Sequence, residues 1–452
     1  MALPAMLACL LLQTTWVVDD NGGPGVNFID LPPAVAAAAD GDILLVQPGT
    51  YSHFTLTGKG LRIFGSGVSV TIVANPNPSS SYSQTTLAAI PPSSIAHIEG
   101  MLFRYPFGPT TFSPARVVVS GPTTRATFAD VEIAGPLGLG APSPGFPALR
   151  VDAAEAKVVR CTVQGGAGVS YFTPALGSAG NRGLEAMNGA RVHVASSVIT
   201  GGEGSGGCLL MSSGIGGLGG QAVSALSSSE VWIADSTVIG GNSGCCGFST
   251  SQCNAGGAGI SANGAFVRVS GDATSLVRGG DAGNACLFFP NPPGPGIEAV
   301  GSLVEVHSVP VIGGCLCGTS CTPGPAVVGT GVTLNAPALP VLEVSGTLTT
   351  TGTATITLSN GLPNAAFVIA FAATPGHIPG GSFFLGEILL DSVNWYLLAI
   401  GSLSPGGDVT LTLPLTGIPP GFVYLPVYLQ GLVFDPQGLW RMSDATVAAI
   451  RP

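Results

Sequence analysis

ALRVDAAEAKVVRCTVQGG (148–166), GLEAMNGARVHVASSVITGG (183–202), AVSALSSSEVWIADSTVIGG (222–241) and GIEAVGSLVEVHSVPVIGG (296–314) are copies of one pattern. Six copies run between Val117 and Val311. Each has two short β-type pairs followed by a third, and five of the six close on Gly-Gly. A repeat of this length predicts a chain that coils into stacked rungs.

Side chains on a strand alternate faces, so the pattern sorts inward from outward residues. The inward pairs read Val117/Val119, Ala126/Phe128 and Val131/Ile133 in the first copy. They read Leu149/Val151, Ala156/Val158 and Cys161/Val163 in the second, then Leu184/Ala186, Val192/Val194 and Ser197/Ile199 in the third. From the second copy to the sixth, the first inward pair precedes the second by seven or eight residues. Between one rung's third strand and the next rung's first lie insertions, such as Val163 to Leu184 and Ile199 to Val223. They are expected to leave the coil at one corner, as turns and loops.

Composition agrees with a β-solenoid. The 452 residues include 68 Gly and 37 Pro, with 46% hydrophobic and 8% charged residues. Hydrophobicity at that level argues for a folded, turn-rich chain. The net charge is −10 and the lysines are Lys59 and Lys157, which argues against a nucleic-acid partner. No internal stretch reaches the ~18 apolar residues of a transmembrane helix.

The opening MALPAMLACLLL reads as the apolar part of a secretory signal, so residues 1–15 are assigned as a leader. A secreted or cell-surface location follows as an expectation. Cys208, Cys245, Cys246, Cys253, Cys286, Cys315, Cys317 and Cys321 fall in or beside the insertions. An even set in glycine-rich loops reads as disulfides formed in an oxidising compartment.

Asp30 is placed to cap a short helix over 31–39, with Pro32 and Pro33 in its first turn. The stretch FIDLPPAVAAAADGDILLVQPGTYSHFTLTGKGLRIFG (28–65) resembles the opening of right-handed parallel β-helix proteins of the pectin-lyase-like kind. The resemblance implies an all-β right-handed parallel β-helix over residues 16–330, with an N-terminal capping helix. It also implies a class that includes polysaccharide lyases, hydrolases and esterases. Beyond Val328 the Gly-Gly period stops. Alternating stretches such as TATITLS and DVTLTLPL predict an antiparallel β-sandwich over 331–452.

Candidate chemistry lies on the outward columns. The centre of each second strand contributes Lys157, His193, Trp232, Arg268 and Glu305, with Glu155, Arg191 and Glu230 beside it. A groove here would stack a sugar ring on Trp232 and pair uronates with Arg191 or Arg268. A lyase would use Lys157 or His193 as base beside Arg191. A hydrolase would use Glu155 and Glu230. The plain alternative is a solvated face with cross-rung pairs such as Glu155–Arg191 and Arg191–Glu230. The first strands contribute a sparser column, Arg150, Glu185, Ser224, Ser261 and Glu298.

After Gly-Gly come Glu203, Asn242 and Asp281. They are weak candidates for Ca²⁺, against a plain turn; otherwise no cofactor or metal is expected. Neither a nucleophile elbow, nor a P-loop, nor a zinc-protease motif is present. The leading expectation is a monomeric, exported, non-catalytic β-helix that contacts polysaccharide or another surface component. The alternatives are a polysaccharide lyase or hydrolase and a structural spacer without ligand.

Overall fold

The computed structural model describes residues 13–74, 84–104, 116–136, 146–168, 177–205, 216–244, 254–271, 274–282, 292–316, 322–336, 339–378, 384–385, 387–391, 393–416, 418, 423–436, 438–443 and 445–452. Two compact units emerge. The larger holds Thr15–Val269 and Ala273–Leu334, and the smaller includes Asn335–Pro452.

The larger unit is a right-handed parallel β-helix. Its strands fall into three parallel sheets, one of 11 strands and two of 9. Each sheet takes one strand per rung, and parallel crossovers of this kind are right-handed as a rule. The register is the one the repeat dictates: Leu149↔Leu184, Ala156↔Val192 and Val163↔Ile199 are Cα partners. The inward pairs of the repeat form one continuous core, with Val151, Val158, Val192 and Ile199 fully buried. Its columns of small and β-branched side chains suit rungs ~4.8 Å apart.

The coil extends beyond the six copies at both ends. Upstream rungs begin with the strand Ile43–Val46, and Thr15–Val18 stacks in parallel below it, Thr15↔Ile43 to Val18↔Val46. The helix that caps this end is Leu31–Ala37, with the Asp30 carboxylate accepting from the Leu31 N–H. Downstream, Val332–Ala336 still belongs to the 11-stranded sheet, so the coil runs a few residues past the expected boundary at 330.

In five of the six copies the corner between second and third strands is turned by one non-glycine residue in the left-handed region: Asp130, Arg160, Ser196, Asp235 and Ser308. At three of these corners the next residue, Cys161, Ser197 or Ser236, supplies an inward acceptor. The Val131 N–H donates to Cys161 Sγ at 3.4 Å, Cys161 N–H to Ser197 Oγ at 3.0 Å, and Ser197 N–H to Ser236 Oγ at 3.0 Å. That explains inward serines in an apolar core, since buried polar groups must be paired. Burial pushes the Cys161 thiol up to about 12.

The Gly-Gly segments depart from the sequence expectation. Gly201, Gly202, Gly240 and Gly241 lack both positive φ and any turn or bend, and their N–H groups bond to neighbouring arms, so these are arms and not turns. Outgoing and returning arms form two interleaved layers. Asn181 N–H donates to Gly166 O, Gly202 to Asn181, Gly220 to Gly202, Gly241 to Gly220 and Gly257 to Gly241. The zipper continues through Gly280, Gly294, Gly314 and Gly324, every bond at 2.7 or 2.8 Å. Within one layer, Gly201 and Gly204 donate to Ile239 O and Asn242 O of the next rung, while Gly202 and Ser205 donate across to the returning layer. Groups three residues apart thus share a direction, the periodicity of a polyproline-II-like chain. A Cβ at Gly241 would overlap the carbonyl oxygen of Gly202, and one at Gly202 that of Gly166.

The smaller unit is mostly antiparallel. One three-stranded sheet (Val341–Thr347, Thr353–Ser359, Val409–Pro414) faces a larger sheet built on Ala366–Ala372, Trp395–Ser402 and Pro426–Phe434. Leu342, Ile356 and Leu358 from the first share a core with Phe367, Ile369, Leu429 and Val433 from the second.

Two outcomes follow. Gly241→Ala is expected to lower stability by about 2–3 kcal/mol in denaturant unfolding, the cost of overpacking against backbone. Gly189→Ala, at a φ of 76° with open space around it, should cost only about 1 kcal/mol. Ser197→Ala strands the Cys161 N–H and should cost about 1–3 kcal/mol, whereas Ser197→Cys, copying the rung below, should cost less.

Candidate functional site

The strands Glu155–Val159, Arg191–Ala195 and Glu230–Ala234 put alternate side chains outside the coil. Their register aligns Lys157↔His193 and His193↔Trp232, the column the repeat predicts. The column is not an open groove. Lys157, His193 and Trp232 retain 2%, 5% and 3% exposure, although they point away from the core. The His193 and Trp232 rings stack with centroids 4.3 Å apart and planes 4° from parallel. Rung spacing dictates that contact, because aromatic neighbours in a parallel column meet face to face. All three side chains also have partners beyond this stack.

Burial continues toward the N-terminal end. Thr127 and His97 are each 1% exposed, and His97 Nε2 lies 3.1 Å from Glu99 Oε2. Toward the other end the column opens. Phe266 packs 6.1 Å from Trp232, and the Arg268 guanidinium lies over Phe266 at 5.2 Å while pairing with Glu305 at 2.9 Å. His307 Nε2 stands 3.7 Å from the same Glu305 carboxylate.

In the neighbouring column, Arg191 pairs with Glu230 at 3.3 Å, both substantially exposed. The register puts Arg191 between Glu155 and Glu230, so the two carboxylates proposed for hydrolysis have a cation between them. Arg191–Glu230 is one of the cross-rung pairs that the plain alternative expects.

The first-strand face carries a denser cluster than the sequence suggests. Arg150 pairs with Glu185 at 2.7 Å, and Arg182 pairs with the other oxygen of the same carboxylate. Arg182 Nε also donates to Gln221 Oε1 at 3.2 Å. Glu185 is buried beneath these partly exposed guanidiniums, and Ser224, its partner on the next rung, is buried too. Arg182 and Gln221 were missed because they close the returning arms. The available signal is their shared place just before a first strand, at Gly183 and Ala222.

Oxygens suggested for Ca²⁺ serve the arms. Asn242 Oδ1 accepts the Asp281 N–H at 2.8 Å, and Asp281 Oδ1 accepts the Cys315 N–H at 2.7 Å as well as the Arg278 guanidinium. Glu203 is exposed at the equivalent place. Among the described residues no group of three or more acidic, histidine or cysteine ligands converges. Of the loop cysteines, Cys315 is described. Cys208, Cys245, Cys246, Cys253, Cys286, Cys317 and Cys321 lie outside the described residues. Among those described, no helix is long and apolar enough to cross a membrane.

No family model matches this chain, and no curated protein does. Among solved structures, a pectin methylesterase in complex with a hexasaccharide is similar at 12% identity and a TM-score of 0.29, over 72% of this chain and 91% of its own. The enzymatically active domain of bacteriophage CBA120 tailspike protein 4 is similar at 10% identity and a TM-score of 0.30, over 91% of this chain and 64% of its own. A pectate lyase is similar at 14% identity and a TM-score of 0.25, over 72% of this chain and 81% of its own. The class assignment rests on the chain's own three parallel sheets: a right-handed parallel β-helix followed by a small antiparallel unit.

Outside the column, burial holds His53 far below the usual histidine range, at about 3, with the Arg116 charge adding to the effect. Arg116 Nη1 lies 3.3 Å from His53 Nε2, which leaves Nδ1–H to donate to Thr85 Oγ1 at 3.0 Å. The folded pKa lies below the unfolded one, so this contribution is full above pH ~6.5 and is lost as pH falls toward 3. Denaturant unfolding should show stability declining through that window by up to ~1.4 kcal/mol per pH unit from this group. His53→Gln should flatten the decline. Trp232→Ala should cost about 3–5 kcal/mol as a buried aromatic. Arg191→Ala should change stability by less than about 1 kcal/mol.

Proposed function

We propose that the protein is a non-catalytic, exported β-helix that contacts polysaccharide or another surface component. The observation that carries this reading is the burial of Lys157, His193 and Trp232. A base and a stacking platform need access to substrate, and a column buried to this extent offers none. Three further outward arginines of the rungs (Arg150, Arg191, Arg268) are engaged by carboxylates.

The first-strand face is the surface offered for contact. Arg150 and Arg182 keep part of their guanidinium surface exposed above Glu185, and Ser261 and Glu298 continue the column. Guanidiniums suit carboxylate or hydroxyl groups of a glycan. A polysaccharide-active enzyme is the second reading, favoured by the same cluster, where a carboxylate lies between two cations. Export and disulfides between arms belong to the proposal. Cys161, fully inside the core, is the free cysteine of the described residues.

A glycan array combined with an assay for release of unsaturated uronides or reducing ends tests both readings. Binding without release is expected, weakened by Arg150→Ala or Arg182→Ala with the fold intact. Release that Arg182→Ala abolishes would replace the binding reading with the enzymatic one. Absence of any glycan binding would leave the spacer reading.

A further inference from the structure

The smaller unit contains a cavity of about 310 Å³ between its two sheets. Its walls are aliphatic apart from Phe371. Val344, Ile356 and Leu413 come from the three-stranded sheet, and Leu398 and Leu429 from the larger one. The cause lies in the topology. Three strands cannot cover a sheet of six, so the inner face of the larger sheet outruns its cover. Val344, Phe371, Leu398, Leu413 and Val427 are consequently only partly buried, although they belong to the core.

Two paired sheets normally interdigitate at the density of an organic crystal. A void of this size lies at the lower end of the range for ligand pockets, and an apolar one is poorly served by water. Nothing in the wall would satisfy a polar group, so the part of a ligand that enters must be hydrocarbon. The charge of the unit narrows the choice further. Residues 335–452 hold six acids and two arginines, Arg441 and Arg451, and Arg441 is engaged by Asp435 at 2.6 Å. An acidic unit is a poor match for an anionic bilayer surface.

We propose that this slot binds a single unbranched hydrocarbon chain carried on a neutral, polar head, with the chain between the sheets and the head at the solvent mouth. The site is separate from the first-strand face and does not depend on the glycan-binding reading.

The test uses the full chain and dodecyl maltoside below its micelle-forming concentration, followed by titration calorimetry. Saturable uptake of one chain per protein is expected, with a rise in the melting temperature. Ala354→Phe, which fills the slot, should weaken uptake by about tenfold or more. Should that variant fail to fold, Ala448→Leu supplies a milder filling with the same expected direction. Ile400→Ser, on an exposed outward position, should leave uptake unchanged. Dodecanoate is expected to bind more weakly than the maltoside, and maltose alone not at all. Absence of saturable uptake would overturn the proposal. So would uptake insensitive to Ala354→Phe and Ala448→Leu. Binding only to vesicles of neutral phosphatidylcholine, and never to the monomeric chain, would also overturn it in favour of a membrane-surface contact.

Discussion

The arms pack closely because glycine recurs where the two layers face each other. At Gly202, Gly220, Gly241 and Gly257 the facing carbonyl occupies the space a Cβ would need. In exchange the backbone N–H of each closes a bond to the opposite layer. The same spacing propagates into the coil, because Gly183 and Gly259 join the returning arms to the first strands. Glycine is entropically expensive to order. That cost is offset by continuous backbone pairing in two directions, and the arms gain regular structure without a hydrophobic face of their own. The glycines of the described arms are thus a packing requirement and not an index of flexibility.

A second consequence follows from the fixed rung spacing. Any polar or aromatic residue placed at an outward strand centre must meet its counterpart on the next rung. Where neighbours are complementary the column becomes an ion-pair ladder, as at Arg191–Glu230 and Arg268–Glu305. Where they are flat rings it becomes a stack, as at His193–Trp232. Repetition alone therefore generates arrays that look like active sites in sequence and serve cohesion in the fold. Separating the two requires knowing what lies over the column, and periodicity carries no such information.

That limit explains what was legible in the sequence. The inward pairs, the cross-rung register and the Asp30-capped helix follow from alternation and repeat length, both local properties of the chain. Inward Cys161, Ser197 and Ser236 could be placed by the same alternation, although their role as acceptors for corner N–H groups needed the geometry. The burial of Lys157 was hidden, because an outward direction on a strand does not ensure exposure. The arms were hidden for a different reason. A Gly-Gly pair has the same composition in a turn and in an extended zipper, and only φ and the facing carbonyl tell them apart. Arg182 and Gln221 escaped notice because they belong to the arms and act on the face of the coil.

The difference between the two proposed sites has the same origin. A stack whose every rung is fixed by its neighbours leaves little room for a ligand cavity in its interior, since columns such as Val151, Val158 and Ile199 are already closed. On the proposed reading, recognition by the coil would then be a surface affair, built from partly exposed guanidiniums over a buried Glu185. The smaller unit obeys another constraint. Its sheets differ in strand number, and the mismatch leaves apolar interior unfilled. Polar contact on one unit and apolar uptake in the other would then follow from sheet architecture, with neither requiring the other.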